Sequence, residues 1–118
     1  MKIRKEQMQA FSEPKLKEFE DFMVGHLNKW FPEEGQKLGE KEVRHRIRDG
    51  IDRADGYGIV GRRDVIKFID VAFALGPAFD EDPNLPWAGR ILENVALDPS
   101  AKVNQLVEAA LEHRRTAS

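Results

Sequence analysis

The segment from Arg62 to Leu75 constrains the fold more than any other, because apolar side chains cover nearly its whole helical circumference. Only Lys67, Asp70 and Ala74 leave a narrow, less apolar strip along it. A helix that is apolar almost all round is buried among other elements. Its longest apolar stretch, Val65 to Leu75, is interrupted by Lys67 and Asp70 and is too short to span a bilayer. The segment therefore predicts the central helix of a bundle.

Apolar residues recur with helical spacing in five further segments, and no segment alternates as a strand does. One segment carries a single apolar stripe, formed by Leu16, Phe19, Met23, Leu27 and Trp30. We predict an all-α fold, a compact orthogonal bundle of about six helices in one domain over residues 1–118, with a tail that frays from His113. The first four predicted helices cover residues 3–11, 13–31, 40–55 and 62–75. The fifth starts at Pro86 and carries Val95, and the sixth starts at Pro99 with Asp98 as its cap. Between the helices, residues 33–39 are predicted to form a polar loop, and residues 78–86 to be mostly irregular.

The composition favours a folded protein with a charged surface. Hydrophobic residues make up 41% and charged residues 34% of the 118 residues, which suits one domain with one core. The net charge of −2 gives no overall attraction to nucleic acid or anionic lipid. The chain has no cysteine, which excludes disulfides, thiol catalysis and cysteine-based zinc sites. The charged N-terminus lacks the apolar region of a secretory signal, so we expect a cytoplasmic protein.

Residues 56–61 match the G-x-G-x-x-G pattern of dinucleotide-binding loops. Such a loop follows a strand, so that its glycines turn the chain and the next helix directs its N-terminus at the pyrophosphate. Here a helix is predicted before the glycines, and no βαβ unit is apparent. We therefore interpret these residues as a glycine-rich connection between two helices.

Asp80, Asp82 and Asn84 have the spacing of the first ligands in an EF-hand. Leu85 and Ile91 occupy the positions where that loop needs a glycine and a bidentate glutamate. Two interpretations remain, an acidic recognition loop and a set of carboxylates that cap turns and helices. We favour the second.

No other residues form a catalytic or metal-binding pattern. The three histidines, His26, His45 and His113, include no pair at i,i+4, the spacing that a two-histidine site on a helix needs. Ser12 and Ser100 stand at predicted helix starts, where capping already accounts for them. We therefore predict no catalytic residue, no cofactor, no metal site and no enzymatic activity.

Arg44 and Arg48 belong to a basic cluster on the predicted third helix. A positive stripe of this kind can bind nucleic acid. Glu40 and Asp49 are among the acidic residues that interleave with it, and mixed signs are typical of a salt-bridged solvent face. We favour the salt-bridged face and keep the two arginines as candidates for protein contact.

Aromatic residues on predicted loops are the most informative candidates for partner binding. Phe79 and Trp87 bracket the acidic, proline-rich segment, and Tyr57 lies among the glycines. Such side chains either plug the core or anchor an interface. For Phe79 and Trp87 both alternatives stay open, because a stiff loop loses little entropy on binding. Together with Asp80 and Asp82, these aromatics are the predicted protein-binding residues.

Short sequence segments spread over most of the chain carry a resemblance to a known group of proteins. They are Arg48-Asp49-Gly50-Ile51, Tyr57-Gly58-Ile59, Asp64-Val65, Phe68-Ile69-Asp70, Leu75-Gly76-Pro77, Phe79-Asp80, Asp82-Pro83, Leu85-Pro86-Trp87-Ala88, His26-Leu27 and Phe31-Pro32. These residues resemble small helical proteins encoded in bacterial type VI secretion clusters, beside spike proteins, toxic effectors and their adaptor chaperones. The resemblance implies an accessory role in loading or holding an effector, and it implies no catalytic residue.

The sequence thus leads us to expect a non-enzymatic protein-binding accessory, an adaptor or co-chaperone for a type VI secretion effector or its chaperone. The expected partner is an effector toxin, an adaptor chaperone or a spike protein, and no membrane is involved. An immunity protein that neutralises a cognate toxin is the main alternative. A nucleic-acid binder is the less favoured one, and salt-dependent binding to DNA or RNA would reveal it.

Overall fold

The structure is a computed structural model, and it describes residues 13–117 of the chain. That part is all-helical, with five α-helices, one short 3-10 helix and no strand. The predicted helix over residues 3–11 lies outside the described residues. None of the helices described is long and apolar enough to cross a membrane. The helices are α1 (Glu13–Trp30), α2 (Pro32–Gly56), α3 (Arg62–Leu75), α4 (Pro86–Leu92) and α5 (Pro99–Ala117), and the 3-10 helix is Phe79–Glu81.

The prediction of a polar loop over residues 33–39 is wrong, because α2 already begins at Pro32. Proline suits the first position of a helix, and Glu33 and Glu34 in the first turn interact favourably with its positive end. At Gly39 the backbone leaves the helical region, with φ 81° and ψ 158°, a conformation that glycine adopts at little cost. The helix is therefore kinked there, and the predicted start near Glu40 marks its second arm.

The core confirms the prediction for α3. Val65, Phe68, Ile69 and Ala72 are all buried, and α3 packs against both α2 and α5. The ring of Phe68 is fully buried, with its centroid 5.3 Å from that of Phe79. The apolar stripe of α1 packs with α2, and its first four members are buried. Helix α3 is thus held between two neighbours, as its all-round apolar surface requires.

The C-terminal half departs from the sequence prediction in two places. Helix α4 ends at Leu92, so Val95 lies beyond it and is 97% exposed. Helix α5 begins as predicted, with the Asp98 carboxylate accepting a hydrogen bond from the N–H of Ala101 at 2.8 Å. It continues to Ala117, so the segment after His113, which the sequence predicts to fray, is helical in the structure.

Candidate protein-binding site

The side chain of Phe79 is part of the core. It is 1% exposed and packs against the ring of Phe68 at a tilted angle. Of the two roles that the sequence leaves open for Phe79, the structure places the residue in the first, as a core plug. Its ring is therefore unavailable to a partner while the fold is intact.

The carboxylate of Asp80 is also occupied internally. It accepts hydrogen bonds from Nη1 of Arg53, at 2.9 and 3.1 Å, and from the hydroxyl of Tyr57 at 2.7 Å. Its side chain is 2% exposed. A buried carboxylate needs such partners, because an unpaired one is costly to desolvate. Through these hydrogen bonds Asp80 links the 3-10 helix to the end of α2.

Electrostatics keep this network in one protonation state. Burial raises the pKa of the Tyr57 hydroxyl, and the neighbouring Asp80 carboxylate raises it further. Burial alone would lower the pKa of Arg53, but the charges of Asp80, Asp49 and Glu81 raise it overall. At neutral pH Tyr57 therefore remains a hydrogen-bond donor and Arg53 remains charged.

The same groups line an open polar depression of about 380 Å³ at the end of α2. Its carboxylates belong to Asp49, Asp52, Asp80 and Glu81, with Arg53 and Tyr57 among them. Nowhere between residues 13 and 117 do three or more histidine or carboxylate side chains come together in a way that suits a metal ion. Arg53 itself neutralises part of the acidic charge.

Asp82 and Trp87 have local roles. Oδ1 of Asp82 accepts the N–H of Asn84 at 2.9 Å, which forms an Asx turn. The ring of Trp87 is half-buried, 5.9 Å from the ring of His113 on α5. Most of the aromatic and acidic side chains that the sequence predicts for recognition in this segment therefore contact the rest of the protein instead.

The arginines of α2 are tied to α1 through Glu20. Nη1 of Arg44 lies 2.6 Å from Oε1 of this glutamate and 2.8 Å from Asp21, while Arg48 bonds its other oxygen. Glu20 is 4% exposed. Burial raises its pKa, but hydrogen bonds from Arg48 and Arg44 lower the pKa overall. Both candidate arginines therefore lie in an inter-helical ion-pair cluster.

The glycine-rich segment over residues 56–61 begins with the last residue of α2, and residues 57–61 connect that helix directly to α3. Gly58 adopts a positive φ of 79°, and the N–H of Ile59 bonds back to the carbonyl of Ala54 at 2.9 Å. Ile59 is buried. Because a helix and no strand precedes the glycines, the segment lacks the setting of a dinucleotide-binding loop.

The sequence interpretation missed an open apolar groove between α3 and α5, of about 480 Å³. We call it the α3–α5 groove. Leu111 on its edge is 60% exposed, and the small side chains of Ala74 and Ala110 line it. Its other lining residues are Phe31, Lys67, Asp70, Val71, Asn104, Val107, Glu108 and Arg114.

A second depression of about 290 Å³ adjoins this groove where α1 meets α2. We call it the Trp30 corner; it consists of Trp30, Phe31, Pro32, Glu33, Glu34, Ala74 and Arg114. Trp30 is 63% exposed, whereas the other four members of the apolar stripe to which the sequence assigns it are buried. The helix ends at this residue, and Phe31 turns into the protein instead, 5.6 Å from the ring of Phe73.

One sequence signal marks the groove in retrospect. Lys67, Asp70 and Ala74 form the narrow, less apolar strip of α3, and all three line the groove. Asp70 also accepts a hydrogen bond from Nε2 of His26 at 2.9 Å. Burial raises the pKa of Asp70, and His26 partly opposes that shift. The strip faces the groove rather than the core, which explains its polarity.

Comparison with known proteins adds no relative. No protein-family model, no curated protein and no solved structure matches the chain. The contact surface is therefore inferred from the side chains that the fold leaves accessible.

Proposed function

We propose that the protein is a non-enzymatic accessory that binds an effector toxin or its adaptor chaperone in a bacterial type VI secretion cluster, and that it does so through the Trp30 corner. We further propose that it works in the cytoplasm and that a sixth helix within residues 3–11 completes an orthogonal bundle. The secretion context comes from the sequence resemblance. The contact surface comes from the exposed tryptophan.

The exposure of Trp30 is the observation that carries this proposal. A 63% exposed tryptophan leaves a large apolar area in water, and tryptophan is enriched among the residues that dominate binding energy at interfaces. Its surroundings are stiff, because Phe31 is packed on Phe73 and Pro32 starts α2. A partner would therefore order little additional chain on binding, which favours affinity.

Charges around the corner indicate the chemistry of the partner surface. Glu33, Glu34 and Arg114 all line the corner, and all three are exposed. Lys29 lies 5.5 Å from the centroid of the Trp30 ring. Opposite charges across an interface fix its register and speed the encounter. We expect the partner to offer an apolar pocket for the indole and basic side chains toward the two glutamates.

The experiment is co-purification after co-expression with the neighbouring effector, adaptor and spike genes. Trp30→Ala should weaken the complex by about thirtyfold or more, the loss expected for a tryptophan that anchors an interface. Val95→Ala is the matched control, because Val95 is an exposed apolar residue outside the corner. If Trp30→Ala binds as tightly as Val95→Ala, the Trp30 corner is not the contact.

The immunity alternative is separated by a toxicity assay. An immunity protein rescues cells that express the cognate toxin in the cytoplasm, whereas an accessory that loads the toxin leaves the cells sensitive. Rescue by the wild-type protein that Trp30→Ala abolishes would assign the corner to toxin neutralisation instead.

A further inference from the structure

We infer that the basic residues before α1 contact the C-terminal end of α2 and pair with its carboxylates. These basic residues are Lys2, Arg4 and Lys5, and they lie outside the part of the chain that the structure describes. The inference goes beyond the proposed function, which places a helix in the same segment without giving its contacts. It rests on where α1 begins, on the distance that the segment can span and on the charges at the end of α2.

Helix α1 begins beside the end of α2, because the two helices run antiparallel. Near the C-terminal end of α1, Asn28 faces Gly35 in the first turns of α2, where an added Cβ atom would lie 2.6 Å from Oδ1 of Asn28. Farther along, Glu20 pairs with Arg48. From that pair, α1 extends about 10 Å back to its first residue and α2 extends about 12 Å to its last, at about 1.5 Å per residue. The start of α1 and the end of α2 therefore lie at nearly the same level.

The end of α2 has an excess of negative charge. The guanidinium of Arg53 is shared among the carboxylates of Asp49, Asp80 and Glu81, at 3.2, 2.9 and 3.3 Å. The carbonyl groups at the C-terminus of a helix add partial negative charge. A further cation at this place is therefore attracted. We call the following residues the acidic end of α2: Asp49, Asp52, Arg53, Asp55, Asp80 and Glu81.

Asp52 places part of this charge on the side of α1. It follows Arg48 by four residues, and residues four apart lie on the same face of a helix. Since Arg48 reaches Glu20 of α1, Asp52 lies on the face of α2 that is turned toward α1, one turn nearer to the start of α1. Asp52 also lines the depression at the end of α2. A chain segment that precedes α1 therefore passes close to this carboxylate.

The basic residues are within reach of the acidic end. Lys5 precedes the first residue of α1 by eight positions, which is about 12 Å in a helix and up to about 26 Å in an extended chain. Packed helices are about 8–10 Å apart, so the segment spans the gap in either conformation once the chain turns at the start of α1. The α3–α5 groove is farther away, because Asp70 on its wall pairs with His26, about 20 Å along α1 from its first residue.

The contact leaves the Trp30 corner open to a partner. Helix α1 has 18 residues, so its two ends are about 27 Å apart, and the corner lies at the end away from the basic segment. A basic partner surface would compete for the acidic end, because the segment meets the same carboxylates. The inference therefore assigns the acidic side chains around Asp80 to a contact within the chain.

The first test measures thermal midpoints of the full chain at low salt. The combined changes Lys2→Glu, Arg4→Glu and Lys5→Glu should lower Tm by about 2–4 °C, as expected for the loss of a few exposed ion pairs. In an Asp52→Lys background the same changes should leave Tm unchanged or raise it, because the reversed segment then meets a cation. Glu108→Lys, in the α3–α5 groove, is the matched control background and should leave the loss as it is in the wild type. Equal shifts in all three backgrounds, or a loss that disappears with Glu108→Lys instead, would overturn the inference.

The second test is carbodiimide coupling of the wild-type chain, which joins a lysine amine directly to a carboxylate in contact with it. Mass spectrometry of the digested monomer should find Lys2 or Lys5 joined to a carboxylate of residues 49–55 or to Glu81. A mixture of isotope-labelled and unlabelled chains separates contacts within one chain from contacts between chains. The absence of such links, or links that join only a labelled to an unlabelled chain, would contradict the contact.

Discussion

A buried glycine at the contact of α2 with α3 gives a sharp test of the packing. A Cβ atom at Gly50 would lie 2.8 Å from Cγ1 of Ile69, whereas non-bonded carbon atoms prefer about 3.5–4.0 Å. Ile69 is 1% exposed, so its side chain has no open space into which it can move. In α1, a Cβ atom at Gly25 would meet nothing within 4 Å. The same substitution therefore meets opposite surroundings at the two positions.

The expected magnitudes follow from two opposing effects. Replacing glycine with alanine inside a helix stabilises it by about 1 kcal/mol, and Gly25→Ala should show this gain, as a rise in Tm of about 4 °C. At Gly50 the same gain is offset by overpacking, which costs about 1–3 kcal/mol. The gain from helix propensity is the same at both positions and does not contribute to their difference. The free energy of unfolding of Gly50→Ala should therefore be about 1–3 kcal/mol lower than that of Gly25→Ala.

Urea denaturation of the wild type and the two variants measures this difference, with equal m values as the check that the unfolded states match. The same substitution in a second background isolates the cause of the penalty. Ile69→Ala removes Cγ1, so Gly50→Ala made in that background should lose its penalty and behave like Gly25→Ala. A Gly50→Ala variant as stable as Gly25→Ala in the wild-type background would refute the close approach of α2 to α3.

Three further predictions concern the core, the ion pairs and the chemistry. Phe68→Ala should lower the free energy of unfolding by about 3–5 kcal/mol in the same urea assay, because the ring is fully buried; stability equal to the wild type would contradict the position of α3. Glu20→Gln should lower the free energy of unfolding by about 2 kcal/mol at pH 7. Because hydrogen bonds from two arginines lower the pKa of Glu20, its charge stabilises the fold at pH values above the ordinary glutamate pKa of about 4.3. The cost should shrink as the pH falls through the lowered value, and a loss that does not change with pH would refute the ion pair as its cause. Protein purified without chelator should carry no stoichiometric metal or nucleotide by elemental analysis and a nucleotide-release assay, and one equivalent of either would overturn the interpretation of residues 56–61 or of the Asp80–Asn84 segment.

Local sequence signals are sufficient to predict where a helix begins and ends when its own residues specify those positions. Helix α3 has its predicted bounds, because an apolar surface all round requires burial whatever the neighbours are. The start of α5 also follows from local chemistry, since Asp98 and Pro99 specify a cap and a first turn. The beginning of α2 was missed because polar residues before Gly39 resemble a loop, whereas Pro32 and two glutamates suit a helix start.

The candidate surfaces depend on how elements pack, which local signals do not specify. Phe79 and Trp30 are both aromatic residues at the edge of a predicted helix or loop, yet one is buried and the other exposed. The difference arises from tertiary contacts, because Phe79 meets Phe68 whereas Phe31 takes the inward place next to Trp30. The groove likewise requires α3 beside α5, an arrangement that neither helix encodes alone.

Hydrogen–deuterium exchange of the free protein and of its complex with the co-expressed effector or adaptor tests the central claim most directly. Because binding through the Trp30 corner excludes water from that surface, peptides that cover residues 30–34 and the part of α5 around Arg114 should exchange more slowly in the complex. The exposed residues around Val95, which lie outside the corner, should exchange unchanged. Protection confined to the loop over residues 76–87 or to the Arg44 and Arg48 face, or no complex with any neighbouring gene product, would contradict the account.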